Sequence, residues 1–191
     1  MWRSAWLRNK AMCFLAMSSG MRLSEMVSLR PLDIDAENLI LTVQSGKGRK
    51  GRVVGITHMA LDAMKEYADN VRPKEATKED PFFCRVVNGE IKPVSKRTVE
   101  YGIKEHVSVT TGREDITPHC LRHSYASILA AENVPVVDIQ SVLGHSSIQQ
   151  TERYIQRLGT PSEAAKHATA AIEAAITPKG WAAKKDPPLY T

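Results

Sequence analysis

The sequence predicts a mainly α-helical domain that carries one small antiparallel β-hairpin, an α+β chain dominated by its helices. Three observations predict it. Apolar residues recur at helical spacing through most of the chain. Two short β-rich segments, "NLILTVQ" (38–44) and "RVVGI" (52–56), flank the glycine-rich cationic stretch "SGKGRKG", which reads as a hairpin with its tip. Helix ends are marked by capping hydroxyls, prolines and glycines. At 191 residues and 42% hydrophobic content, the chain suits one domain with one core.

The elements follow in order. Residues 4–17 place Trp6, Leu7, Cys13 or Phe14, and Met17 at roughly helical spacing, and Ser19-Gly20 breaks that helix. A second helix begins near Arg22 and stops before Pro31. After the hairpin, Thr57 caps a helix that runs to about Asn70. Residues 71–81 form a charged, proline-containing loop, and "FFC" (82–84) is a candidate short strand. Ser95 starts a helix to about Thr111, closed by Gly112. Thr117-Pro118 pairs a capping hydroxyl with proline at the first helical position, opening "HCLRHSYASILAAEN". Pro135 opens "VVDIQSVL", which Gly144 ends, and "SIQQTERYIQ" makes a further helix. Residues 161–176 form an Ala-rich helix, and the Pro/Gly/Lys-rich tail 177–191 is expected to be loose.

Charge is unevenly placed. The formal net charge is +5 with a pI near 9.2. Residues 1–58 carry nine Lys/Arg against four Asp/Glu, whereas the remainder carries seventeen of each. The excess therefore lies in the N-terminal third, as a face that meets a polyanion requires, although charge for solubility would look similar. Cys13, Cys84 and Cys120 are far apart and lack CxxC or Cys/His zinc spacing, so reduced cysteines in an intracellular protein are expected. The apolar run Ala11–Met17 is too short for a membrane span and reads as part of a core helix.

Several residues could carry chemistry. His119 and Arg122 share a face in the first turn of one helix, where backbone amides favour anions. His119 and His123 stand at i, i+4, a spacing compatible with zinc. No third ligand is indicated, however, and Arg122 would repel the metal. Arg22 and Glu25 form an i, i+3 pair that alone reads as a helix salt bridge. Lys47 lies between glycines in "GKGRKGR", alone a basic loop and not a P-loop, because GxxxxGK[ST] is missing. In "LGHSSIQQTERY", Tyr154 follows His145 by nine residues with polar neighbours, unlike a core tyrosine.

Taken together, "SGMRLSEM", "GKGRKGR", "HCLRHS" and "LGHSSIQQTERY" resemble, in order and spacing, the tyrosine recombinase (phage integrase) family. The intervals are 25 residues from Arg22 to Lys47, 3 from His119 to Arg122, 23 to His145 and 9 to Tyr154, and the match runs from about residue 10 to 176. The resemblance implies that family's catalytic-domain fold and a site of Arg22, Lys47, His119, Arg122, His145 and Tyr154, with Glu25 holding Arg22 or His119. Arg49, Lys50, Arg52 and His123 would contact DNA. In that chemistry Arg22 and Arg122 bind the non-bridging oxygens of a phosphodiester, and His145 adds a hydrogen bond. Such donors contribute roughly 2.7–4 kcal/mol each to the transition state. His119 assists Tyr154 as base or orienting partner, and Lys47 protonates the leaving 5′ oxygen.

The resemblance further implies double-stranded DNA as partner and no metal, small-molecule cofactor or membrane. It implies a catalytic domain over 1–176 without the usual N-terminal core-binding domain, because Arg22 arrives so early. The final helix, 161–176, resembles the element that family members dock into a neighbouring protomer. Two other functions remain open: a type IB topoisomerase-like enzyme that relaxes supercoils with similar residues, and a catalytically silent DNA-binding module.

Overall fold

A computed structural model of the protein describes residues 2–44, 51–144 and 161–176. Helix α1 (Trp2–Ser19) runs through its centre. Leu7, Ala11, Met12, Leu15 and Ala16 are all at most 6% exposed, a set too wide for one stripe, so the helix is wrapped by three others, at His58–Asn70, Lys96–Thr111 and Pro118–Ala131. Gly20 ends it at φ +58°, a left-handed position that favours glycine.

Helix α2 (Leu23–Ser28) and a 3-10 turn (Pro31–Asp33) lead into a three-stranded antiparallel sheet of β1 (Ile34–Asp35), β2 (Ile40–Val43) and β3 (Arg52–Gly55), in that spatial order. The register pairs Leu41 with Val54 and Val43 with Arg52. Leu41, Val43 and Val54 are buried, so the face that they share looks into the core. Helix α3 (His58–Asn70) begins where the Thr57 hydroxyl accepts from the Ala60 amide (3.2 Å), and it buries Leu61, Met64 and Tyr67. A ribbon of β4 (Cys84–Val87) and β5 (Glu90–Pro93) follows. Next come α4 (Lys96–Thr111), capped by Ser95, α5 (Pro118–Ala131), capped by Thr117, and α6 (Val136–Leu143). The last described element is α7 (Pro161–Ile176), which brings the described residues to seven α-helices.

The architecture is thus mainly helical with small antiparallel sheets, as expected, but two strand elements were not foreseen. Strand β1 adds to the expected hairpin, and β4–β5 stands where only "FFC" was considered. Phe82 and Phe83 are consecutive and both fully buried, which a one-sided strand does not allow. They pack with Tyr67 in an aromatic cluster, ring centroids 5.1–5.7 Å apart. The ribbon starts after them and turns through Asn88-Gly89, both at positive φ (52° and 78°), as a type I′ hairpin requires.

Helix α7 lies on its own chain, against α5, α6 and β3. Ala165, Ala168 and Ile172 are fully buried, and Thr169 sits so close to Gly55 that a Cβ there would overlap its hydroxyl. The expected helix at 147–156 and the tail 177–191 lie outside the described residues. No helix among the described residues is long and apolar enough to cross a membrane.

Gly20 permits a close approach that fixes α1 against α5. A Cβ built on it would lie 2.5 Å from a ring carbon of Tyr125, itself fully buried. Gly20→Ala therefore combines overpacking with left-handed strain and should cost about 1–3 kcal/mol or more in chemical denaturation. Gly89→Ala also has positive φ but meets nothing within 4 Å. It should cost only the conformational part, about 1–2 kcal/mol. Equal losses would refute the packing argument.

Candidate active site

The site is built on the C-terminal end of α6. The last carbonyls of any helix lack partners within it, and they form the negative end of its dipole. Here three arginines cap three successive carbonyls. Arg52 Nε donates to the Val142 carbonyl (2.7 Å), Arg122 Nη2 to that of Leu143 (2.6 Å), and Arg22 Nη2 to that of Gly144 (2.9 Å). Arg52 comes from β3, Arg122 from the second turn of α5, and Arg22 from the residue that caps α2. Arg122 also donates to the Gly20 carbonyl, which ties the site to the α1 terminus.

Glu25 bonds two of these arginines. Its two oxygens receive Arg52 Nη1 and Nη2 at 2.7 and 2.8 Å, a bidentate pair. The same oxygens accept Arg22 Nη1 (3.1 Å) and the Arg22 backbone N–H (2.7 Å). Burial pushes the Glu25 carboxyl upward, but the bonds from Arg52 and Arg22 outweigh it and hold the group below the usual carboxylate range.

Among the described residues one carboxylate is bonded to these three guanidiniums, which leaves a surplus of positive charge. Arg122 registers it: burial, then repulsion from Arg22 and Arg52, lower its pKa to about 10, with Glu25 only partly opposing. An anion placed beside Arg22 and Arg122 would relieve that repulsion. Room exists for one, because a cleft of about 530 Å³ opens there, lined by Met21, Arg22, Leu23, Glu100, Thr117, Pro118, His119 and Arg122. The Arg22 side chain is 37% exposed whereas that of Arg52 is 15% exposed, so Arg22 is the one that reaches the opening.

His119 sits in the first turn of α5 and borders the same cleft. Its Nε2 lies 2.8 Å from His123 Nε2, with the rings edge to face. At that distance one ring donates and the other accepts, so the tautomers of the two are linked. No group of three or more His, Cys, Asp or Glu side chains that could hold a metal ion occurs among the described residues.

The structure therefore brings Arg22, His119 and Arg122 to one cleft, with Glu25 behind Arg22 and His123 beside His119. Arg52, expected with Arg49 and Lys50 as a DNA contact, instead turns inward, and three of its five N–H donors are used by Glu25 and Val142. Lys47, Arg49, Lys50, His145 and Tyr154 lie outside the described residues. Of the other tyrosines, Tyr67 and Tyr125 are enclosed by packing, and burial pushes both phenols up, Tyr67 to about 12. Both therefore stay protonated and out of reach.

Residues 3–159 match the phage integrase family. The chain is 32% identical to tyrosine recombinase XerC of Staphylococcus epidermidis over 148 residues, covering 78% of this chain and 49% of that one. It is 36% identical to a tyrosine recombinase of Thermosipho africanus over 149 residues, covering 78% and 50%. A solved structure of the XerH site-specific recombinase bound to its difH substrate, in a pre-cleavage complex, superposes with a TM-score of 0.63 at 25% identity, over 81% of this chain and 44% of that one. The chain spans about half the length of the curated relatives it matches. With arginines and a histidine converging on one cleft in this fold, and with this sequence match, the chain belongs to the phage integrase family of tyrosine recombinases.

Proposed function

We propose that this chain cleaves and rejoins DNA strands through a 3′-phosphotyrosyl intermediate, with Tyr154 as the nucleophile. The observation that supports this reading best is the charge surplus around the cleft, where Arg22 and Arg122 stand together with donors to spare. A phosphodiester supplies the missing negative charge, and its transition state carries more of it. Arg22 and Arg122 hold the two non-bridging oxygens, and His145 adds a hydrogen bond. The Tyr154 oxygen attacks phosphorus as His119 takes the phenolic proton. The bond from phosphorus to the 5′ oxygen breaks, and Lys47 protonates that oxygen. Attack of a 5′ hydroxyl on the phosphotyrosine reverses each transfer and reseals a strand.

Double-stranded DNA is the partner in this reading, with Arg49 and Lys50 on the hairpin attracting its backbone and His123 acting beside His119. Residues up to Ile176 form the catalytic unit. Association between copies through α7 would require that helix to exchange its seat on its own α5, α6 and β3 for the same seat on a neighbour.

Three measurements test the chemistry. A nicked duplex drawn from the DNA flanking the gene should give a protease-sensitive covalent adduct. Tyr154→Phe should abolish the adduct while DNA binding persists, and an adduct that survives would assign the nucleophile elsewhere. Arg22→Lys and Arg122→Lys keep charge but lose the planar fork. Each should reduce cleavage by about a hundredfold or more with little change in affinity; an equal loss of both would make them simple backbone contacts. Lys47→Ala should cleave ordinary DNA poorly but should cleave a substrate with a bridging 5′ sulfur nearly normally, since that leaving group needs no proton. Failure of the sulfur substrate to restore cleavage would remove Lys47 from the general-acid role.

A further inference from the structure

Arg52 stands apart from the other cations of its segment. It is the cross-strand partner of buried Val43, on the inner face of the sheet. Its guanidinium joins elements 27 and 90 residues away in sequence, through Glu25 and the Val142 carbonyl. Each Glu25 oxygen is shared between Arg52 and Arg22. Oε1 takes Nη1 of both residues, and Oε2 takes Arg52 Nη2 with the Arg22 backbone N–H.

We propose that Arg52 is a positioning residue for strand cleavage: by occupying Glu25 bidentately, it keeps the Arg22 fork free for phosphate. The inference rests on the reading of Arg22 as a phosphate ligand. The physical reason is competition. Among the described residues Glu25 is the one carboxylate bonded to this cluster, and a carboxylate pairs most strongly with a guanidinium that it meets with both oxygens. Arg52 satisfies it in that way. Among the described residues Arg22 then spends a single side-chain N–H on Glu25 and another on the Gly144 carbonyl, which leaves three of its five for a ligand. The charge balance follows the same division. Glu25 and Arg52 cancel, so Arg22 and Arg122 present two positive charges to a cleft whose lining holds one carboxylate, Glu100. Without Arg52, Glu25 would close on Arg22, neutralise it and occupy the edge that phosphate needs.

This competition predicts an unusual pattern of variants. Arg52→Met should lower adduct formation on the nicked duplex by about a hundredfold, the scale of a misplaced catalytic group, with DNA affinity and its salt dependence unchanged. Adding Glu25→Gln should recover about tenfold or more of that loss, because the carboxylate that captures Arg22 is gone and each factor of ten is about 1.4 kcal/mol. A merely structural Arg52 would make the double variant as poor as the single variant or worse, and that result overturns the proposal. A salt slope reduced by about one would instead make Arg52 a phosphate contact and overturn it as well. If Arg52→Met does not fold by circular dichroism, Arg52→Lys with and without Glu25→Gln supplies the same comparison. The Arg22 Nε–H resonance, followed by nitrogen-15 NMR on the full chain without DNA, gives a readout independent of activity. It should shift in the Arg52 variant and return toward its wild-type position in the double variant; an unmoved resonance refutes the competition. Should the wild-type chain form no adduct, the cleavage reading fails, and this resonance still decides what Arg52 does to Arg22.

Discussion

Three carbonyls at the end of α6 are the fixed points around which the site is arranged. A helix that stopped there without partners would leave polar groups unsatisfied, at about 1–3 kcal/mol for each one buried. Arginines from β3, α5 and the start of α2 satisfy them in sequence order, Val142, Leu143 and Gly144. The same bonds therefore finish the helix and aim the guanidiniums. Stability and site geometry are not separable here, since each arginine is held by the backbone of a distant element before any ligand arrives.

Charge placement explains why these bonds differ from surface ion pairs elsewhere in the molecule. Arg113 and Asp115 meet at 2.6 Å, yet both are more than 60% exposed, so their pairing contributes little. Glu25 is partly buried and accepts from two arginines, and the bonds outweigh the cost of its burial. Its carboxyl is held below its ordinary value in the folded chain. The stability that it supplies is thus fully present above that ordinary value and is lost as pH falls through the lower folded one. Acid would first remove the group that balances Arg52, and the arginine cluster would then be left to repel itself.

Much of the helical framework was legible because its signals are local. Thr57, Ser95 and Thr117 are read as caps in the sequence, and each accepts from an amide three residues on. The β4–β5 ribbon was equally local, since Asn88-Gly89 is a strong hairpin signal. It was missed because its strands are charged and short, with Val86 half exposed, and the adjacent Phe82-Phe83 drew the strand to themselves. Arg22, His119 and Arg122 were legible through the family pattern. The inward turn of Arg52 was not, because four cations crowd residues 47–52 and composition treats them alike. Alternation did contain a clue: residues 52 and 54 share a strand face, and Val54 is a core residue.

What no local signal could show is how the donors are divided. Arg22 reaches Gly144 across 122 residues, Arg122 reaches Gly20 across 102, and Arg52 reaches Val142 across 90. Contacts of that separation exist only once α1, α5, α6 and the sheet have packed, so the arrangement of the guanidiniums is a property of the assembled core and not of any motif. Gly20 shows how closely the two are joined. Its carbonyl accepts from Arg122, while its missing side chain lets the Tyr125 ring lie against α1. Tyr125 lies one helical turn beyond Arg122 on α5, so the contact that seats the helix in the core also sets the height of the arginine over the cleft. A motif can name the arginines; the packing beneath them decides how many of their hydrogens are left for a ligand.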